Sequence, residues 1–170
     1  TTINRPQVDT LEGINFADKL LQLGSDIDGE SERDYSGTSV SLSSDGSTVA
    51  IGAQYNNGNG TDSGHVRIFK LNNNQWEQVG DDIDGEAAYD SSGNSVSLSS
   101  DGSTVAIGAI GNDENGNSSG HVRIFKLNSN NNWEQLGNDI DGEATYDYFG
   151  SSVSLSADGS TVAIGAPYND

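Results

Sequence analysis

The sequence predicts an all-β chain of repeated four-stranded antiparallel units, and three observations carry that expectation. The chain repeats itself every 56 to 57 residues: SVSLSSDGSTVAIGA at 39–53 recurs unchanged at 95–109 and returns at 152–166 with Ala157 as its one change. Each copy alternates short apolar runs with Asp-Gly and Asn-Gly turns, and helical periodicity is confined to residues 16–23, which align with a strand of the later copies. Only 32% of the residues are hydrophobic while Gly numbers 22, so the core-forming material sits in short strands separated by polar turns. Self-similarity at this period in strand-and-turn units reads as propeller blades. Groups present in every copy build the unit, so a unique catalytic constellation has to be sought where the copies differ.

The first strand of each unit is SVSLS, in which Val40 and Leu42, Val96 and Leu98, and Val153 and Leu155 alternate with serine at period two. The second is TVAIGA, with Val49 and Ile51 on one face and the small Ala50 and Gly52 on the other, a face that admits a close neighbouring sheet. Between them Asp45-Gly46, Asp101-Gly102 and Asp158-Gly159 supply the positive backbone dihedrals of a tight hairpin. The third strand, GHVRIFKLN, is identical at 64–72 and 120–128 and is apolar on both faces, as a strand between packed sheets must be. The fourth runs through NQWEQVG and NNWEQLG, with Trp76 and Trp133 in equivalent places and Leu23-Gly24 matching Val79-Gly80 and Leu136-Gly137.

Composition bounds the function. Twenty-six acidic against seven basic residues give a net charge of -19, which repels phosphate backbones and anionic headgroups and excludes nucleic acid and membrane insertion as expected partners. Cations or basic partners suit it better. The chain has no Cys, hence neither disulfides nor thiol chemistry, and no Met, so a chain starting at Thr1 reads as a processed or partial product. No apolar run approaches the roughly 20 residues of a membrane helix. An extracellular or cell-surface setting is the expectation.

At Tyr148-Phe149-Gly150 followed by GSSVSLSADGSTVAIGAP the chain resembles the FG-GAP repeat, the blade unit of integrin alpha-subunit propellers and of many secreted bacterial proteins. The third copy carries both signatures, Phe149-Gly150 and Gly165-Ala166-Pro167; the first two keep Gly37 and Gly93 but have Ser36 and Ser92 for Phe, and end in Gly-Ala-Gln and Gly-Ala-Ile. The resemblance covers the chain from about residue 18 onward and implies blade architecture. It leaves function open, because such blades host adhesive, lectin-like and enzymatic roles. The family often holds calcium in the first hairpin through an Asp-x-Asp-x-Asp-Gly-x-x-Asp loop. Here only Asp45, Asp101 and Asp158 remain, with Ser41, Ser43 and Val49 at the other ligand places of the first copy, which predicts loss of that ion.

A second acidic pattern follows the fourth strand. Asp26, Asp28, Glu30 and Asp34 recur as Asp82, Asp84, Glu86 and Asp90, and as Asp139, Asp141, Glu143 and Asp147. Relative positions 1, 3, 5 and 9 have the spacing of calcium-loop ligands around a hard cation, although the Gly precedes the third acid where calcium loops place it after. The alternative is that Asp-Gly turns the chain between blades while the acids solvate the surface or cap backbone amides. His65 and His121, at one repeated position beside Arg67 and Arg123, are open to a metal or general-base role, and repetition favours a structural hydrogen bond. Trp76 and Trp133 suit inter-blade packing or stacking on a sugar ring. The most variable loop, between second and third strands, carries the glycosylation sequons Asn59-Gly60-Thr61 and Asn117-Ser118-Ser119.

The expected organisation is a non-repeating segment at 1–17, a fourth strand and inter-blade loop at 18–37, one blade at 38–83, a second at 84–140, and half a blade at 141–170. Two and a half to three blades cannot close a ring that takes four to eight. Either the chain continues in a longer protein, or several chains share one propeller, or chains join end to end, with Val8, Leu11, Ile14 and Phe16 supplying a missing third strand. The expected function is a non-enzymatic extracellular structural or adhesive module that assembles by blade completion, with other chains as an oligomeric propeller or filament or with a missing remainder of the protein. The alternative is a calcium-dependent or lectin-like domain with a protein or carbohydrate ligand.

Overall fold

Alternating Val, Ile and small residues between Asp-Gly turns fold as the pattern demands. The computed structural model describes residues 22–169, and among these there is no helix. Strands β1 (Ser39–Leu42), β2 (Thr48–Ala53), β3 (His65–Asn72), β4 (Gln75–Gln78) and β5 (Ile83–Asp84) form the first sheet. The second sheet holds β6 (Ser92–Leu98), β7 (Thr104–Ala109), β8 (His121–Leu127), β9 (Trp133–Gln135) and β10 (Ile140–Asp141), and the third β11 (Ser152–Leu155) with β12 (Val162–Gly165). All strand pairs are antiparallel; β1 to β4 and β6 to β9 run in meander order while β5 and β10 return to pair with β3 and β8, so the first two sheets are each a blade, the third is the first half of another, and the array is unclosed.

The first strands stack blade on blade, and the core lies in the seams they make. Val96 and Leu98, on the first strand of the middle blade, pack with Ala50, Val66 and Ile68 of the first and with Val105, Ile107 and Phe125 of their own. Close approach is possible because Gly52 faces the next blade: a Cβ there would overlap the Gly93 carbonyl, and one at Gly108 the Gly150 carbonyl. A β-bulge between Ser92 and Ser95 swings Gly93 into that position.

Three elements differ from the sequence expectation. The second and third acidic segments begin as strands rather than curled loops: Ile83–Asp84 and Ile140–Asp141 pair with the start of β3 and β8 after the fourth strand breaks at Gly80 and Gly137. The hairpins carry positive φ at glycine alone (Gly46 70°, Gly102 69°, Gly159 68°), because the loop is four residues long, closed by Ser43 N–H to Thr48 O at 2.9 Å. Residues 22–37 form turns without a strand, and Leu23 still takes the place of Val79, its carbonyl accepting the Trp76 indole N–H at 2.8 Å. The suggested third strand containing Val8, Leu11, Ile14 and Phe16 lies outside the described residues.

Candidate functional site

Two features recur at each junction between blades: a polar seam along the first strands, and a charged cluster where the third strand begins. In the seam, serine does the joining. Ser39 Oγ donates to Gly93 O and Ser95 Oγ to Gly150 O, both at 2.7 Å, while Ser41 Oγ and Ser97 Oγ accept from the amides of Leu98 and Leu155 at 2.9 Å. Ser44 and Ser100 extend the line through backbone bonds to Ser100 and Ala157. Trp133 Nε1 donates to Val79 O of the preceding blade at 2.8 Å, so the indole serves blade packing, the first of the two roles expected for it.

The charged cluster arises from strand geometry. His121 lies directly across from Asp141, and Val122 across from Ile140. Cross-strand partners share a face and successive residues alternate, so Asp-Ile-Asp sends both acids to the histidine side and the isoleucine to the opposite side. The first blade repeats this with His65 across from Asp84, and Ile83 is buried. Across the junction Glu86 lies 3.9 Å from His121 Nδ1 and 3.5 Å from the Arg123 guanidinium, with Asp139 3.6 Å from the same imidazole nitrogen. Glu30, Arg67 and Asp82 stand in the same relation to His65, at 3.9 Å and 3.5 Å from Nδ1 for the two acids. Each arginine also donates to a carbonyl of the preceding acidic segment, Arg67 to Asp28 O at 2.6 Å and Arg123 to Asp84 O, and lies 5.3 Å from the ring centre of Phe69 or Phe125.

The structure regroups the twelve acids singled out by spacing. Asp26, Asp82 and Asp139 accept from the glutamine four residues earlier (Gln22, Gln78, Gln135). Asp34, Asp90 and Asp147 are buried, bonded to the backbone amides of Ser31, Ala87 and Ala144 and to the side chains of Asn56, Asn112 and Asn169. Among the described residues Glu30 groups with His65 and Asp82 of the following blade, and Glu114 with His121, Asp139 and Asp141 within the second blade. Asp28 and Glu143 are exposed. Glu114, in the variable loop, carried no signal in the sequence beyond its charge.

Burial raises the pKa of Asp84, helped by Asp82, and raises that of Glu86, where Asp139 adds to the effect against Arg123. Burial and Arg123 hold His121 below its ordinary value, so its imidazole is neutral at pH 7. The structural hydrogen bond expected for the histidines is not made at Nδ1: that atom is buried and unpartnered in both rings. The first hairpin is different. Asp45 accepts from Ser43 Oγ, Ser47 N and Ser47 Oγ at 2.7 to 2.9 Å, which lowers its pKa to about 2. Serines thus occupy the carboxylate that the resembling family gives to calcium.

Of the two sequon asparagines, Asn59 donates its side-chain amide to Gly85 O and Glu86 O at 2.8 and 3.1 Å, and Asn117 is exposed. The tyrosines form a group that the sequence did not single out. Tyr35 packs edge-on to Tyr55 and Tyr148 to Tyr168, with ring centres 5.2 and 5.5 Å apart, and Tyr89 and Tyr146 stand exposed in the equivalent loops.

Stacked antiparallel sheets joined through their first strands define an array of propeller blades. The FG-GAP repeat family matches the chain three times, at residues 26–69, 83–125 and 140–170. The chain belongs to the FG-GAP repeat family. Among solved structures it is similar to the periplasmic gluconolactonase of Pseudomonas aeruginosa, at 13% identity and a TM-score of 0.45, over 71% of this chain and 32% of that one. The chain thus spans about a third of that protein's length. Among curated proteins none matches this chain. No helix among the described residues is long and apolar enough to cross a membrane.

Proposed function

We propose that this chain is a non-enzymatic, extracellular structural or adhesive module whose open blade faces are covered by a second copy of itself. The observation that carries the reading is a contrast between identical residues. Val96 and Leu98 are 9% and 7% exposed in the middle seam, whereas Val40 and Leu42, the same residues of the first blade, are 63% and 60% exposed. At the other end Ser152 and Ser154, the equivalents of Ser39 and Ser41, are exposed, and a Cβ at Gly165 would meet only Ser152. The two outer faces are therefore the two halves of the internal seam, and head-to-tail contact between copies repeats bonds the chain already makes.

A non-enzymatic role is supported by the repetition of each polar cluster from blade to blade. Light scattering of the purified chain over a concentration series tests the reading: association that is lost in Val40→Asp or Leu42→Asp supports it, and a monomer at all concentrations overturns it. A second reading, a lectin-like or calcium-dependent ligand site, is favoured by the exposed tyrosine pairs, which offer flat amphipathic faces to a sugar or peptide. A glycan array tests that reading, with binding expected to fall in Tyr35→Ala.

A further inference from the structure

We propose that the second blade binds a divalent transition-metal cation of the zinc class between His121, Asp139, Asp141 and Glu114. The ligand set is a product of the fold. His121 and Asp141 face each other across β8 and β10, and Asp139 precedes Asp141 by two residues on the same face. Glu114 enters from the loop between β7 and β8, and its reach can be read at Gly58, the same position in the first blade. There a Cβ would lie 3.1 Å from the carboxylate of Asp84, the equivalent of Asp141. One donor atom from each of the four residues lies within 4.8 Å of all the others.

Two observations beyond the acids point to a ligand. His121 is fully buried, yet both ring nitrogens lack a hydrogen-bond partner, and Oδ1 of Asp141 is buried and unpartnered as well. Buried donors and acceptors are seldom left so without a function, because each costs its desolvation. The group also carries three carboxylates, with Glu86 beyond them tied to Arg123, so negative charge is in excess where the cation would sit.

The donor set selects the cation. One imidazole with carboxylates in a four-donor group suits zinc and its neighbours, whereas calcium takes six to eight oxygens. An open cleft of about 610 Å³, lined by Glu114, Asp139 and Asp141 together with Gln135, Gly137 and Asn138, gives the ion a route from solvent. The first blade groups only Glu30, His65 and Asp82, with Gly58 where Glu114 stands, and is the weaker place.

Cobalt(II) titration of the tag-free chain, followed by its visible absorption, tests the assignment. The expected result is a single tight equivalent, displaced by Zn²⁺ and untouched by about a hundredfold excess of Ca²⁺, whose preference is for oxygen-only sites. Glu114→Gln, at an exposed position, should weaken Co²⁺ binding by about tenfold or more without changing the melting of the metal-free chain, and His121→Gln should abolish the absorption. Gly58→Glu should create a second tight equivalent. Absence of tight Co²⁺ binding, equal affinity in the Glu114→Gln chain, or displacement by Ca²⁺ would overturn the proposal.

Discussion

The hydroxyl of Ser95 in the middle blade donates to the carbonyl of Gly150 in the next, at 2.7 Å, and both residues are buried. Removing the donor strands the carbonyl where no water replaces it, so Ser95→Ala should destabilise the chain by about 1–3 kcal/mol. Ser152→Ala, at the equivalent place on the open face, should change stability by less than about 0.5 kcal/mol. Urea unfolding of the two variants checks the contrast, and equal losses would mean that the seam bond is not what Ser95 contributes.

Gly108 is a position where the blades leave no room. A Cβ there would run into the Gly150 carbonyl, which is backbone and cannot swing aside. Gly108→Ala should cost at least the roughly 1–3 kcal/mol of overpacking, and hydrogen exchange should show the loss concentrated in β7 and β11. Uniform weakening of all strands would argue against seam crowding as the cause.

The two tryptophans report separate junctions. Trp76 Nε1 is bonded to Leu23 O and Trp133 Nε1 to Val79 O, each at 2.8 Å. In a Trp76→Phe chain the remaining fluorescence follows the junction of the first two blades alone, and Trp133→Phe should lower stability by about 1 kcal/mol through the lost indole bond. Quenching by iodide that is identical before and after unfolding would show that Trp133 is not packed as described.

Asp45 and Asp158 are held at about 2, first by the hydroxyls of Ser43 and Ser156 and then by Ser47 and Ser160. A folded pKa below the unfolded value of 3.8 means that the hairpin contribution is complete above that value. It is lost as pH falls from 3.8 toward about 2. Carboxyl NMR titration should find the Asp45 midpoint near 2 and see it rise toward 3.8 in Ser43→Ala. A midpoint already at the ordinary value in the parent chain would refute the serine clamp.

The blade interior was legible because repeated β-branched residues at period two, cut by Asp-Gly, admit few other folds: β1, β2, β3 and β4 lie where SVSLS, TVAIGA, GHVRIFKLN and NQWEQVG suggest. The acidic segments were harder. Carboxylates spaced two apart fit a curled ligand loop and a short strand equally, and Ile83–Asp84 is a strand only because β3 offers it an edge. Glu30 lies near His65 and Asp82 of the following blade, while Asp34 of its own segment is buried against Ser31 and Asn56, a grouping that linear spacing does not show. The seam was hidden for a similar reason. Serines alternating with valine read as a solvent face, and their partners lie 54 to 58 residues away in the chain. Glu114 joins its group through one substitution against Gly58, visible only once the two loops are superposed by the fold.

The serine line that joins Ser39 to Gly93 and Ser95 to Gly150 gives every junction the same bonds. Stability in such an array behaves as a sum over neighbours, so adding a blade adds one junction and removes no exposed end. Melting should then proceed as a zipper opening from its terminal blades inward, and the temperature it requires should climb with the number of blades in register before levelling off. The length over which the blades are stacked, more than the strength of any one of them, is the quantity this architecture lets evolution adjust.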